Sequence, residues 1–216
     1  MNNPKTGPNQ GDPLNDPRMA SFLRRRALLD AAFKRLEPRV RALFFIGILM
    51  VIAGSLALAS VTMSRLNSLA PVGIFMLIAG FLETGLGHVA RTADLKAGAD
   101  PDPPNGILTA GIIHMICGLI TTFGAFLPVH VHGMLIGIVL MAAGVTWLRM
   151  GFAMPERFQS AIIPVSGGVS AVIGILLMLG WGGRDLSTMG LLLSIDLLVR
   201  GWAWIGLASQ VSKRMR

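Results

Sequence analysis

The sequence predicts an all-α integral membrane protein: six transmembrane helices as three tandem helical hairpin repeats, preceded by a basic amphipathic helix. Three observations carry that expectation. Only 14% of the 216 residues are charged while 53% are hydrophobic, and the mean hydropathy is +0.64; soluble chains carry about 25% charged residues. Six apolar windows each reach the roughly 20 residues that cross a hydrocarbon core as a helix. A glycine motif recurs along them. The same composition excludes other classes. Cys117 is the only cysteine, so no intrachain disulfide framework exists. The net charge of +8 comes from basic segments flanking apolar spans, as membrane topology requires, and does not point to nucleic acid.

Taken in chain order, residues 1–18 are rich in Asn, Pro, Gly and Asp. They have no means of burying apolar surface and are expected to be a disordered tail. Residues 19–40 differ. Phe22, Leu29, Phe33 and Leu36 fall at i, i+7, i+11 and i+14 among Arg24, Arg25, Arg26, Lys34 and Arg35. That pattern suits a basic helix lying on the membrane surface, with the stretch 19–41 facing anionic lipids; a partner-binding or self-associating helix is the alternative. Glu37-Pro38 then breaks the helix, because proline disfavours helical backbone in the residue before it.

The six-span domain, 41–210, follows. Its windows are Leu43 to Met63, Leu69 to Ala90, Gly106 to Leu127, Gly133 to Met154, Phe158 to Trp181, and Ser187 to Ser209. The first has about 40 residues ahead of it, many of them polar or charged, so it is not expected to act as a secretory signal. Orientation follows from Lys and Arg. The N-terminal 41 residues, the 91–105 loop (Arg91, Lys96), the turn with Arg157 and the basic tail 211–216 (Lys213, Arg214, Arg216) lie on one side, against Arg65 and Arg184 on the other. Both termini are expected to face the cytoplasm.

An internal repeat organises the spans. GILMVIAG (Gly47 to Gly54), GIIHMICG (Gly111 to Gly118) and GGVSAVIG (Gly167 to Gly174) occupy the first, third and fifth. GIFMLIAGF (with Gly80), GIVLMAAGV (with Gly144) and SIDLLVRGW (with Gly201) occupy the second, fourth and sixth. The three hairpin repeats run over about 41–91, 106–154 and 158–209. Glycines seven apart share a helix face and let neighbouring backbones approach closely, which predicts a pseudo-threefold bundle held by packing.

This paired-helix glycine repeat, with six spans and short outer turns, resembles the HdeD family of small bacterial membrane proteins. The resemblance covers about Arg41 to Gln210. It implies a non-enzymatic, multi-pass protein of the bacterial inner membrane that supports acid or envelope stress tolerance, with no catalytic residues to carry over. The basic N-terminal helix departs from the family pattern and leaves room for a tethering role. A homo-oligomer or a membrane protein partner is compatible with it.

Ionisable groups inside a bilayer are expensive and stand as functional candidates by default. The intramembrane polar site is expected to comprise Glu83, Arg149, Asp196 and Arg200. Asp196 and Arg200 lie four apart with the acid first, the favoured order for an intrahelical pair. Glu83 has no cation three or four residues away and is expected to pair with Arg200 or Arg149. Such a site is either a structural staple or the proton site of a small channel or transporter. Glu83, Trp147 and Trp204 occupy equivalent positions, three after Gly80, Gly144 and Gly201.

His88 and His114 raise a bis-histidine haem site, but one pair is slender support; interhelical hydrogen bonding is simpler, and no cofactor or metal is expected. His130 and His132 fall in the outer turn PVHVHG, where imidazoles would gain charge in acid and could sense pH. Trp181 suits an interfacial anchor, as do Trp202 and Trp204, with an aromatic-walled polar pocket as the alternative for the latter two. Cys117, beside Gly118, reads as a small packing residue.

Overall fold

The computed structural model describes residues 21, 23, 27, 40–63, 69–96, 102–153, 161–181 and 185–213. The expected tail 1–18, nearly all of the basic helix 19–40, and Arg65, Arg157, Arg184, Arg214 and Arg216 lie outside the described residues. Six long helices follow one another: α1 (Val40–Met63), α2 (Ala70–Lys96), α3 (Asp102–Phe123), α4 (Val129–Ala153), α5 (Ile162–Met178) and α6 (Leu186–Lys213). A short 3-10 turn, Gly124–Phe126, joins α3 to α4. The protein is an all-α membrane protein, and five of these helices have the length and apolarity of membrane spans.

The exception is α5, 17 residues long where the sequence predicted the wider window Phe158 to Trp181. Its ends are set locally. Pro164 falls in the first turn, where a missing N–H deprives no intrahelical acceptor. At the other end Gly180 adopts a φ of 77°. Gly180 N donates to Leu177 O at 3.1 Å and Trp181 N to Leu176 O at 2.9 Å, the paired bonds of a glycine-terminated helix. The last helix runs on through Lys213, so the first residues of the expected tail 211–216 belong to α6.

The α4 start also differs from expectation. PVHVHG is not an exposed turn: α4 begins at Val129, directly after Pro128, and His132 N donates to Pro128 O at 3.0 Å. His130 is exposed, whereas His132 is buried. Its ring lies where a Gly124 side chain would project.

The glycines make three seams, and each joins helices from different hairpins. The closest-packed pairs are α2 with α3, α4 with α5, and α1 with α6. A Cβ placed on Gly80 would stand 2.6 Å from Met115 N and 2.9 Å from Gly111 O. On Gly144 it would stand 2.5 Å from Ala171 N and 2.6 Å from Gly167 O, and on Gly201 2.8 Å from Val51 N and 2.9 Å from Gly47 O. A Cβ on Gly118 would stand 2.6 Å from Leu77 N, one on Gly174 2.6 Å from Gly137 O, and one on Gly54 2.9 Å from Leu198 N. Lipid offers no hydrophobic drive between helices, so dispersion across such backbone contacts must supply cohesion. The looser contacts, α1 with α2, α3 with α4 and α5 with α6, lie within the hairpins and close a ring of six helices.

Large apolar side chains such as Phe45, Phe81, Phe152 and Val165 point outwards from this ring and are exposed. Inside it, two apolar layers lie end to end. One, with Leu43, Ile107 and Val211, fills the end carrying the termini. The other, with Val61, Leu69, Leu177 and Met189, fills the end carrying the Leu127 turn. Hydroxyls along the helices return to their own backbone, as in Thr121 Oγ1 to Cys117 O at 2.7 Å and Ser194 Oγ to Gly190 O at 2.7 Å, which satisfies them where water is excluded. Between the two layers lies the polar centre.

Candidate functional site: a buried ionisable cluster

Three residues beyond each seam glycine, one side chain per helix turns into the ring. These are Met50, Glu83, His114, Trp147, Ser170 and Trp204, following Gly47, Gly80, Gly111, Gly144, Gly167 and Gly201. All six are at most 1% exposed. Three residues turn a helix by about 300°, so the side chain points beside the glycine face and towards the bundle axis. Asp196 and Arg200 reach the same centre from α6, each 1% exposed.

The polar members are connected. His114 Nδ1 lies 2.8 Å from Glu83 Oε2, and Trp204 Nε1 donates to Glu83 Oε1 at 2.8 Å. Both Glu83 oxygens are thereby held. On the other side of the imidazole, His114 Nε2 faces Asp196 Oδ2 at 3.6 Å. Asp196 Oδ2 is 3.5 Å from Arg200 Nη2. Ser170 Oγ donates to Asp196 Oδ1 and accepts from Arg200 Nη2 at 2.9 Å. Arg200 Cζ sits 5.1 Å from the centroid of Trp147, within cation–π range. Trp147 in turn meets Trp204 edge to face at 5.2 Å.

The sequence-derived site is thus partly assembled and partly corrected. Glu83, Asp196 and Arg200 are brought together, and the Asp196–Arg200 pair stands. Glu83, however, takes His114 and Trp204 as partners, not an arginine. Arg149 is exposed and belongs to no part of the cluster. Two positions after the inward Trp147, it is rotated about 200° to the opposite face, where its long stem can carry the charge towards the interface. Trp204 is an interior donor and not an interfacial anchor, while Trp202 and Trp181 are exposed.

His88 is exposed and His114 buried, so the pair considered for haem is not formed. His130 is exposed; His132, at 2% exposure, does not line a solvated turn. Ser170 was missed as a site member; His114, expected only to make interhelical hydrogen bonds, makes one to Glu83, and Trp147, placed at the Glu83-equivalent position, had been given no role in the site. The offset shared by Glu83, Trp147 and Trp204, three after a seam glycine, would have found His114 and Ser170 if extended to the odd helices. Among the described residues no group of three or more His, Cys, Asp or Glu could hold a metal ion. Cys117 is buried against the cluster and free.

Fold and site together define a multi-pass α-helical membrane protein with an ionisable centre. No family model, curated protein or solved structure matches the chain.

Proposed function

We propose that this protein is a non-enzymatic membrane protein whose centre binds one exchangeable proton, and that proton binding is its contribution to acid tolerance. One observation carries the reading: His114 stands between Glu83 and Asp196 in a sealed group containing a single guanidinium. Two carboxylates against Arg200 leave one negative charge, and a charge unpaired in a water-excluded interior is costly. One proton brings the group to neutrality, and His114 touches or faces both acids that could share it. The macroscopic titration therefore belongs to the group and not to one residue.

The setting rests on the sequence. Acid or envelope stress and the bacterial inner membrane are what the resemblance to the HdeD family implies, and cytoplasmic termini are what the distribution of Lys and Arg suggests. Contact of residues 19–41 with anionic lipids follows from their charge. A second reading, in which the proton crosses the bundle as part of a small channel or transporter, is favoured by the facing of His114 Nε2 and Asp196 Oδ2 at 3.6 Å, neither of which has a hydrogen bond among the described residues.

Both readings meet one experiment. Purified protein in nanodiscs, titrated from pH 8 to pH 4, is expected to take up one proton more than the His114→Gln, Glu83→Gln double variant. The same protein in sealed vesicles under a step from pH 7 to pH 5 tests passage. Uptake without flux above empty vesicles supports the binding reading; flux lost in Glu83→Gln, Asp196→Asn supports transport. Identical titration of parent and folded double variant overturns the proton site.

A further inference from the structure

Away from the centre, His132 is the first member of an inward stripe on α4 that continues through Ile136, Leu140, Ala143 and Trp147. Twelve residues before its seam glycine, Gly144, it takes the place that Met189 holds before Gly201 on α6, and Met189 is wholly buried in the apolar layer at the Leu127 end. An imidazole thus occupies a core position in the first turn of a helix. Gly124, in the 3-10 turn, makes the room: a Cβ there would stand 2.6 Å from both Cδ2 and Cε1 of the ring. The ring's one hydrogen bond among the described residues is to the Ile120 carbonyl. Nε2 is buried without a partner, which makes Nδ1 the donor and leaves Nε2 a bare lone pair.

We propose that His132 is an acid-released latch on the end of the bundle opposite the termini. Neutral, the ring fills the apolar layer and ties the start of α4 to the end of α3 beneath the 3-10 turn. A proton on Nε2 creates a second N–H, and a full charge, where no acceptor meets it, and a buried unmatched donor is costly, the more so when charged. The positive end of the α4 dipole opposes the cation further. The charged ring therefore leaves, and the Gly124–Phe126 turn and the first turn of α4 loosen with it. The way out is short, because His132 is four residues into α4, next to the exposed Pro128 and His130.

Among the described residues no carboxylate answers that charge. The end of α3 and the 3-10 turn bring backbone carbonyls and the Thr121 hydroxyl, which already donates to Cys117 O at 2.7 Å; the Cys117 thiol lies one turn deeper. The fifth helix carries no ionisable side chain. On α4 itself the neighbour is His130, exposed, and at the head of α6 Asp185 is exposed and engaged by the amides of Ser187 and Thr188. Glu83, His114, Asp196 and Arg200 are engaged with one another in the centre, so the latch is independent of the central proton. Once released, the ring titrates as an ordinary imidazole, near pH 6.5. Since the closed form holds only the neutral ring, opening is constant above that pH and grows about tenfold for each pH unit below it.

The test is amide hydrogen exchange of the full chain in nanodiscs at pH 7.5 and pH 5, corrected for the intrinsic pH dependence of exchange. Peptides over 120–134 are expected to lose protection by about thirtyfold at pH 5. His132→Leu, apolar at this core position, is expected to stay protected at both pH values. Gly124→Ala, which drives the ring out, is expected to lose protection at both, and His130→Gln to behave as the parent. Equal corrected protection of the parent at the two pH values overturns the latch, as does a loss in His132→Leu as large as the parent's, or a Gly124→Ala protein as well protected as the parent at pH 7.5. A loss that disappears in the Glu83→Gln, His114→Gln variant or in His130→Gln overturns it too, because the titrating group is then not His132. Parent against His132→Leu decides even where Gly124→Ala does not fold.

Discussion

Glu83 illustrates how a buried carboxylate is kept in a membrane protein: one oxygen receives an indole N–H, the other an imidazole. Replacing Trp204 by Phe conserves the ring and removes one donor to a charged group, with an expected loss of about 1.5–3 kcal/mol in a steric-trap or SDS unfolding measurement. At the surface, Asp185 illustrates the ordinary case. Its Oδ1 accepts from Ser187 N at 3.2 Å and its Oδ2 from Thr188 N at 3.1 Å, capping α6. Those backbone bonds hold its carboxyl below the usual carboxylate range. The capping contribution is therefore full above the unfolded value and disappears as pH falls through the folded one. Asp185→Asn should remove that acid sensitivity, checked by comparing unfolding at pH 3 and pH 6. The acids and Arg200 were legible as site residues because charge inside an apolar run is conspicuous. His114 and Ser170 were less so, since a neutral imidazole or hydroxyl in a helix has many ordinary uses, and Arg149 misled because its helix phase was not weighed.

At the scale of the helix, the seams distinguish glycines that look alike in the sequence. A Cβ on Gly144 would meet backbone at 2.5 Å, whereas one on Gly168 would meet nothing within 4 Å. Gly144→Ala is expected to destabilise the bundle by about 1–3 kcal/mol through overpacking. Gly168→Ala, free of any clash, should be neutral or stabilising by up to about 1 kcal/mol through helix propensity. The same unfolding assay applied to both checks the contrast. Seven-residue spacing made the packing face visible from the sequence. It did not reveal the partner, because the pattern is identical whether a helix packs on its hairpin mate or on the neighbouring hairpin. The helix ends at Val129 and Gly180 depend on single turn residues, and the window of apolar composition that defined the spans is too coarse to resolve them.

For the molecule as a whole, neutrality of the centre is the controlling constraint. Arg200→Met leaves two acids without their guanidinium and is expected to cost about 3–5 kcal/mol, as for one partner of a buried pair. Adding Asp196→Asn removes the uncompensated charge, and the double variant should recover most of that loss; a double-mutant cycle measures the coupling. Six helices and their hairpin order were readable from composition and repeat, but closure of the ring was not, because contact between α1 and α6 spans nearly the whole chain. That closure also bears on how the protein is made. The seams of α2 with α3 and of α4 with α5 join helices that are consecutive in synthesis. The glycine face of α1 instead waits for the last helix, as does the centre, since Asp196, Arg200 and Trp204 all arrive with α6. Until then Glu83 and His114 have only each other, and a nascent chain of five helices carries that one hydrogen bond while Glu83 Oε1 still waits for Trp204.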